Sequence, residues 1–152
     1  MFAATQYQYS VPFQGDARKA FNIALTSLIS LGFEIDRSTD WELHAIGPGM
    51  HSNQQPALLG VTELTLSINL SSITADAVLG GAATMKAFIY LFPPALILSL
   101  LIFFILLGMK MSWLIGLIVL PWFIIAPLMS KMIEGKTTQA VDRLVRGMAQ
   151  SE

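Results

Sequence analysis

The first pattern along the chain is a strict alternation of apolar and polar residues near the N-terminus. In YQYSVPF, residues 7–13, one face carries Tyr7, Tyr9, Val11 and Phe13. A period of two residues is typical of a strand with one buried face. Because Pro12 has no N–H to donate, we expect this strand to lie at an edge of its sheet.

Residues 16–32 change to a helical period. Their apolar positions recur three or four residues apart: Ala17, Ala20, Phe21, Ala24, Leu25, Leu28 and Leu31. Asp16 is a suitable N-cap, and Gly32 is a suitable stop. The segment is therefore predicted to be an amphipathic helix that covers one face of a sheet.

Residues 33–45 alternate again and predict a β-hairpin. A three-residue loop, residues 38–40, pairs Arg37 with Trp41 and Ile35 with Leu43, and it keeps the apolar side chains on one face. A two-residue loop would mix the two faces, so the three-residue loop is favoured.

Residues 62–79 predict a second hairpin, which follows a loop rich in Gly, Pro and polar residues at 47–60. A turn at Ser71 and Ser72 keeps all the apolar partners together. The resulting pairs are Leu70 with Ile73, Ile68 with Ala75, Leu66 with Ala77, and Leu64 with Leu79.

These elements predict an α+β domain over residues 1–80, in the order β-α-β-β-β-β. Its small antiparallel sheet has one apolar face covered by the helix and one polar face open to water.

From Ala87 to Ser130 the chain is apolar, and Lys110 is its single charged residue. The run is too long for one membrane span, which needs about 20 helical residues. Residues 81–86 are therefore predicted to be a linker, and 87–132 a transmembrane hairpin with spans at about 87–108 and 112–130. Gly108 would end the first helix, and Ser112 would cap the second.

Prolines interrupt both predicted spans, at Pro93-Pro94, Pro121 and Pro127. The pair at 93–94 either kinks the first span or marks its start. Small residues also recur four positions apart, which favours close helix packing: Ala95 and Ser99, Ser112 and Gly116, Ala126 and Ser130. Neither span contains a charged side chain, which argues against a transporter or pump acting alone.

Residues 133–152 are predicted to form a C-terminal amphipathic helix. Its apolar positions are Val141, Leu144, Val145 and Met148, while Arg143 and Arg146 lie away from them. Such a helix lies on a membrane surface or docks on a protein. Docking is favoured, because two arginines are a weak membrane signal and the N-terminal domain is acidic.

Composition supports a small domain on a membrane anchor. The chain is 54% hydrophobic and only 12% charged, with a mean hydropathy of +0.62. Residues 1–80 have three basic and seven acidic residues, a net charge of −4, whereas residues 81–152 have six basic and three acidic, a net charge of +3. The basic flanks of the spans predict that both termini are cytoplasmic.

Three further features of the sequence exclude or disfavour other classes of protein. The N-terminus does not resemble a signal peptide, and the chain has no cysteine. The acidic charge of residues 1–80 disfavours nucleic acid as a partner.

One cluster of polar residues and one separate histidine are candidates for ligand binding. Glu34, Asp36, Glu42 and His44 share the outward face of the predicted hairpin, and these are side chains that bind divalent metals. A solvated face with a Glu34–His44 pair is the favoured alternative. His51, in the 47–60 loop, is either a binding residue or an exposed histidine, and the latter is favoured. We identify no catalytic, cofactor-binding or metal residue, because no motif has the required spacing.

The sequence thus predicts a non-enzymatic, two-pass protein of the plasma (inner) membrane, with no cofactor. It would act as an assembly, scaffold or accessory subunit whose partners are membrane lipid and either its own copies or other membrane proteins. The alternative is a membrane-anchored module that binds a small ligand or lipid, and an enzyme is the third hypothesis.

Overall fold

The computed structural model of the protein describes residues 4–52, 54–69, 71–106 and 112–150, without the side chains of 104, 106 and 112–120. Its elements, in chain order, are β1 Gln6–Pro12, α1 Ala17–Ser30, β2 Glu34–Ser38, β3 Glu42–Ile46, a 3-10 turn Ala57–Gly60, β4 Glu63–Asn69, β5 Ser72–Val78, α2 Gly80–Leu106 and α3 Ser112–Ala149. The α+β class, with one five-stranded antiparallel sheet, is therefore confirmed.

The strands lie in the order β1-β5-β4-β3-β2, so β1 is at an edge, as the proline in the strand predicts. Side chains alternate between the two faces of the sheet. The apolar face forms the centre of the core, and its fully buried members include Leu43, Leu64, Leu66, Ile73 and Ala75.

Helix α1 begins and ends where the sequence predicts. The Asp16 carboxylate accepts a hydrogen bond from the Arg18 backbone N–H at 2.9 Å, which satisfies one of the free donors of the first turn. After the helix, Gly32 has φ +83°, a conformation that favours glycine. The helix buries Ala20, Phe21, Ala24 and Leu28.

The predicted register of the first hairpin is wrong. Ser38 pairs with Leu43, and a bulge follows, so that Ile35 pairs with Ala45 rather than with Leu43. Beyond the Ser38–Leu43 pair, the Thr39 N–H donates to the Glu42 carbonyl at 2.8 Å, and the Glu42 N–H donates to the Thr39 hydroxyl at 2.9 Å. Asp40 and Trp41 then form a two-residue loop, which is shorter than predicted. The bulge inserts one extra residue into β2 between Ile35 and Arg37. This residue returns Ile35 to the apolar face, opposite Ala45, whereas a two-residue loop without a bulge would mix the two faces.

The predicted register of the second hairpin is also wrong, by two positions. Ile68 pairs with Ile73, Leu66 with Ala75, and Leu64 with Ala77, whereas Leu70 lies outside the described residues. A shift of two residues leaves every side chain on the same face. The apolar pattern could therefore place the strands but could not choose between these two registers.

The C-terminal amphipathic segment is the second half of α3, which runs continuously from Ser112 to Ala149. This half packs on the apolar face of the sheet beside α1, and Val141, Val145 and Met148 are completely buried there. The favoured docking on the α+β domain is thus what the structure has, and two helices cover the sheet where the sequence predicts one.

Helix α2 starts at Gly80, so the predicted linker 81–86 forms its first turns, and the prolines at 93–94 lie inside it rather than at its start. In the described part of the chain, one helix is long and apolar enough to cross a membrane: Gly80–Phe103, 24 residues with a mean hydropathy of 2.0. The predicted second span corresponds to the first half of α3, whose residues 112–120 have no described side chains.

The predicted loop at 47–60 is not a free surface loop. Met50, Leu58 and Leu59 are buried, and the 3-10 turn packs against α2 and α3. A Cβ added at Gly81 would lie 2.6 Å from the carbonyl oxygen of Leu59, so the start of α2 closely approaches this turn. The loop therefore joins the sheet to both long helices.

Candidate functional site

The polar face of the sheet carries a hollow beside the edge strand β1. It has a volume of about 400 Å³, and it is lined by Gln6, Tyr7, Gln8, Glu63, Thr65, Asp76, Ala77 and Val78. Asp76 lies between Gln8 on β1 and Thr65 on β4. Within the described residues neither Glu63 nor Asp76 forms an ion pair. The hollow therefore has a negative charge that no basic side chain of its lining offsets.

The acidic cluster predicted from the sequence is only partly assembled. The Nδ1 atom of His44 lies 3.2 Å from Oδ2 of Asp36, so the histidine pairs with this residue and not with Glu34. Glu34 lies opposite Ile46, and Glu42 lies opposite Ser67 on β4. Across the described residues, no group of three or more potential metal ligands comes together.

The other predicted polar candidate, His51, is exposed. Its backbone N–H and that of Ser52 both donate to the Oε1 atom of Gln55, at 2.8 and 3.0 Å. These bonds give the loop a local structure. They involve the backbone of His51 and do not direct its ring to any other group.

Two tyrosines of β1 attach the second half of α3 to the sheet. The Tyr7 hydroxyl donates to Asp142 at 2.7 Å, and Nε of Arg146 donates to the Tyr9 hydroxyl at 2.9 Å. The guanidinium of Arg146 also lies 5.8 Å from the centre of the Tyr9 ring. The alternation of β1 identified both tyrosines as inward-facing, but only the docking of α3 shows which side chains their hydroxyls bind.

This contact perturbs two of its ionisable groups. Burial, together with the hydrogen bond to Asp142, raises the pKa of Tyr7 to about 12. The hydrogen bond with Tyr9 raises the pKa of Arg146. In both cases the protonated form is favoured, so the contact is intact over the neutral pH range.

An ion pair joins α2 to α3 at the end of the apolar helices. Nζ of Lys86 lies 2.5 Å from Oε2 of Glu134, and both side chains are partly buried. The hydrogen bond from Lys86 lowers the pKa of Glu134, so the carboxylate stays charged. Glu134 lies on α3 between the exposed apolar residues, which end at Met132, and the half of the helix that packs on the sheet.

Beyond this ion pair, the two long helices expose large apolar side chains. Leu91 and Ile105 on α2 are each 65% exposed, and on α3 Phe123 is 76% and Leu128 69% exposed. Eighteen large hydrophobic residues are exposed in the described part of the chain, and fourteen of them lie on these two helices. An apolar surface of this extent is unusual for a protein in water.

Two concavities lie in this apolar surface. A groove of about 450 Å³ runs between the helices, and its lining includes Tyr90, Leu98 and Trp122. A second concavity of about 420 Å³, which we call the α2 notch, is lined by Phe92, Ala95, Leu96, Ser99 and Leu100.

The three pairs of small residues have different environments. Ala126 and Ser130 are buried, at 1% and 7% exposure, whereas Ala95 and Ser99 are exposed in the α2 notch. The side chains of Ser112 and Gly116 lie outside the described part of the chain. Of the two pairs whose side chains the structure describes, Ala126 and Ser130 are therefore packed within the chain, and Ala95 and Ser99 are not.

Comparison with known proteins finds no family model that matches the chain, and no significant similarity to a curated protein or to a solved structure.

Proposed function

We propose that this protein is a non-enzymatic, two-pass integral membrane protein of the plasma (inner) membrane, and that it acts as an assembly, scaffold or accessory subunit. In this proposal α2 and the first half of α3 form the transmembrane hairpin. Both termini and the sheet are cytoplasmic, and the partners are lipid together with other copies or other membrane proteins.

The observation that carries the proposal is the distribution of exposed apolar side chains. On α2 they extend from Phe88 to Ile105 and on α3 from Phe123 to Met132, and they end near the Lys86–Glu134 ion pair. Exposure of this apolar surface to water would cost about 25 cal/mol of free energy for each Å². A bilayer removes that cost, and the charged pair then lies at the level of the lipid headgroups.

The flanking charges support the orientation. Lys86 precedes the apolar part of α2, and Lys131 and Lys136 follow the apolar part of α3, so the basic residues lie on the same side as the sheet. Short cytoplasmic flanks are enriched in such residues.

Cysteine labelling tests the topology, because the native chain has no cysteine. Lys110→Cys and Gln150→Cys, made separately, are treated with an impermeant thiol reagent in intact cells and in permeabilised cells. We expect position 110 to react from outside, and position 150 to react only after permeabilisation. Labelling of position 150 alone in intact cells would reject the orientation, and full extraction of the protein by alkaline carbonate would reject the membrane anchor.

The α2 notch supports the assembly role. Helices associate in lipid through close packing at small residues, and the notch exposes Ala95 and Ser99 to a neighbour. Ala95→Leu should therefore reduce the mass of the particle purified in mild detergent, whereas Ile102→Leu, at another exposed position of α2, should not. An unchanged mass for both variants, with the fold retained, would contradict association through the notch.

A membrane-anchored lipid-binding module is the second candidate function. It is favoured by the groove between α2 and α3, whose lining is almost entirely apolar. If the groove holds a lipid, the wild-type protein should retain one through purification, and Leu98→Trp, which fills the groove, should release it. Native mass spectrometry of the two proteins distinguishes this function from the assembly role.

A further inference from the structure

The edge strand β1 has backbone groups that point away from the sheet. Two bonds at its ends define which groups these are: Phe13 donates to the Ser71 carbonyl, and Leu79 donates to the Thr5 carbonyl, both at 2.9 Å. Bonds in an antiparallel ladder recur at every second residue. The odd-numbered residues of β1 therefore bond to β5, and the N–H and C=O groups of Gln6, Gln8 and Ser10 point outward.

These outward groups are open to pairing. The three residues are exposed, and within the described part of the chain their backbone groups have no partner. Pro12, at the end of the strand, has no N–H to donate. An open edge of this kind is a template for another strand.

The two edges of the sheet differ in how they resist such pairing. The outer strand β2 has five residues, a bulge after Ile35 and three charged side chains, at Glu34, Asp36 and Arg37. Bulges and charges are common protections of an edge strand. β1 has neither: its seven residues are uncharged, and all of them are in continuous register with β5.

The hollow beside β1 adds a preference for charge. Asp76 lies on β5 directly beside Gln8, and Glu63 lies one strand further in. Neighbouring strands are about 4.8 Å apart, so a strand added outside β1 would lie roughly 10 Å from β5. The long side chain of a lysine or arginine opposite Gln8 reaches across this distance to the Asp76 carboxylate.

We propose that β1 is the docking edge for an extended segment of a partner protein, and that this segment places a basic side chain in the hollow at Asp76. Backbone bonds to Gln6, Gln8 and Ser10 hold the segment, and the charge selects it, as in other cases of strand addition. The inference builds on the proposed assembly role, because it names where a partner attaches.

A second copy in the same membrane does not fit this edge in antiparallel pairing. β1 starts beside Leu79, the residue that precedes α2. The second half of α3 runs in the same direction as β1, because Asp142 bonds to Tyr7 and Arg146, one turn later, bonds to Tyr9. The strand therefore runs away from the apolar helices. A symmetric antiparallel pair of β1 strands would point the two helical hairpins in opposite directions. A segment of another protein, which can pair with β1 in either direction, is therefore the occupant that the geometry favours.

The test uses the purified full chain in detergent with a photoreactive benzoylphenylalanine at Ser10, or at Ser38 on β2 as the matched control. Two synthetic peptides serve as probes, Thr-Val-Thr-Val-Lys-Val-Thr-Val-Thr and the same peptide with glutamate in place of lysine. Adducts are quantified by mass spectrometry. Gln8→Pro removes an outward N–H without removing a bond to β5, and Asp76→Asn together with Glu63→Gln removes both carboxylate charges of the hollow.

We expect the lysine peptide to form adducts at position 10 and not at 38, in about fivefold higher yield than the glutamate peptide, the ratio expected for an exposed ion pair. The double variant Asp76→Asn with Glu63→Gln should make the two yields equal, and Gln8→Pro should abolish both adducts. Equal yields in the unmodified background, or equal adducts at position 38, would overturn the proposal. So would adducts that persist in a folded Gln8→Pro variant. Because strand pairing needs no membrane, these outcomes do not depend on the topology experiment.

Discussion

At the residue scale, Gly60 lies where the 3-10 turn meets α3. A Cβ at this position would overlap the side chain of Thr137, which is completely buried and whose hydroxyl donates to the Ile133 carbonyl at 3.0 Å. The absence of a side chain at Gly60 therefore determines how closely the loop approaches the helix.

Gly60→Ala should consequently destabilise the fold by about 1–3 kcal/mol, the usual cost of overpacking a core. Gly135→Ala is the matched control, because a Cβ there meets nothing within 4 Å, and alanine is favoured in a helix by up to about 1 kcal/mol. Thermal unfolding followed by circular dichroism measures both. Thr137→Ala should partly rescue Gly60→Ala, and a Gly60→Ala protein as stable as the wild type would contradict the close contact.

At the element scale, the Lys86–Glu134 pair connects the two long helices. Lys86 is 19% exposed and Glu134 30%, so the pair is neither fully solvated nor fully buried. Replacing either residue by an uncharged one leaves the other charge without its partner. Breaking the pair should therefore cost more than breaking a surface pair and less than breaking a fully buried one.

We expect Glu134→Gln to lower the free energy of unfolding by about 1–3 kcal/mol at neutral pH. Because folding lowers the pKa of Glu134 below its ordinary 4.5, the stabilisation is present above pH 4.5 and is lost as the pH falls through the lowered value. The difference between wild type and variant should therefore shrink in acid. Urea titrations over a pH series that crosses 4.5 measure it, and a constant difference would exclude this carboxylate as the cause.

The swapped pair, Lys86→Glu with Glu134→Lys, is the control for this experiment. It retains the attraction between the helices and should restore most of the stability at neutral pH. A swapped protein as unstable as the single variants would mean that packing around these side chains, and not their charge, holds the helices together.

At the scale of the whole molecule, α3 belongs to two parts of the protein at once. Its residues 123–132 continue the apolar surface of α2, and its second half supplies Val141, Val145 and Met148 to the core of the sheet. Full burial of such side chains contributes about 1.5–3 kcal/mol each. A domain of about 80 residues has little stability to spare, so we expect that residues 1–80 do not fold independently.

Residues 1–80 alone should accordingly lack a cooperative unfolding transition. The same residues joined by a glycine-serine linker to 131–150 should unfold cooperatively, because the second half of α3 again covers the sheet. Heat or urea unfolding, followed by circular dichroism, compares the two chains. A linked chain with Val141→Asp and Val145→Asp is the control and should behave like the short one. Cooperative unfolding of residues 1–80 alone would refute the shared core.

The sequence by itself determined the types of element and the faces that they bury. The alternation around Tyr7 and Tyr9, the cap at Asp16 and the periodic apolar residues of α1 follow from local backbone geometry, which a single segment carries. The same is true of the apolar run in α2, which forms a helix long and apolar enough to cross a membrane.

Only the tertiary structure decided register, docking and the composition of sites. The first hairpin depends on a bulge and on the Thr39 side chain, and the second on a choice between registers that share the same faces. The pairs Tyr7–Asp142 and Lys86–Glu134 join residues 135 and 48 positions apart. A pattern within one short segment cannot predict pairs of residues so far apart in sequence. Which N–H groups of β1 point outward depends likewise on its pairing with β5, and this is the physical reason why the open edge emerges only from the folded chain.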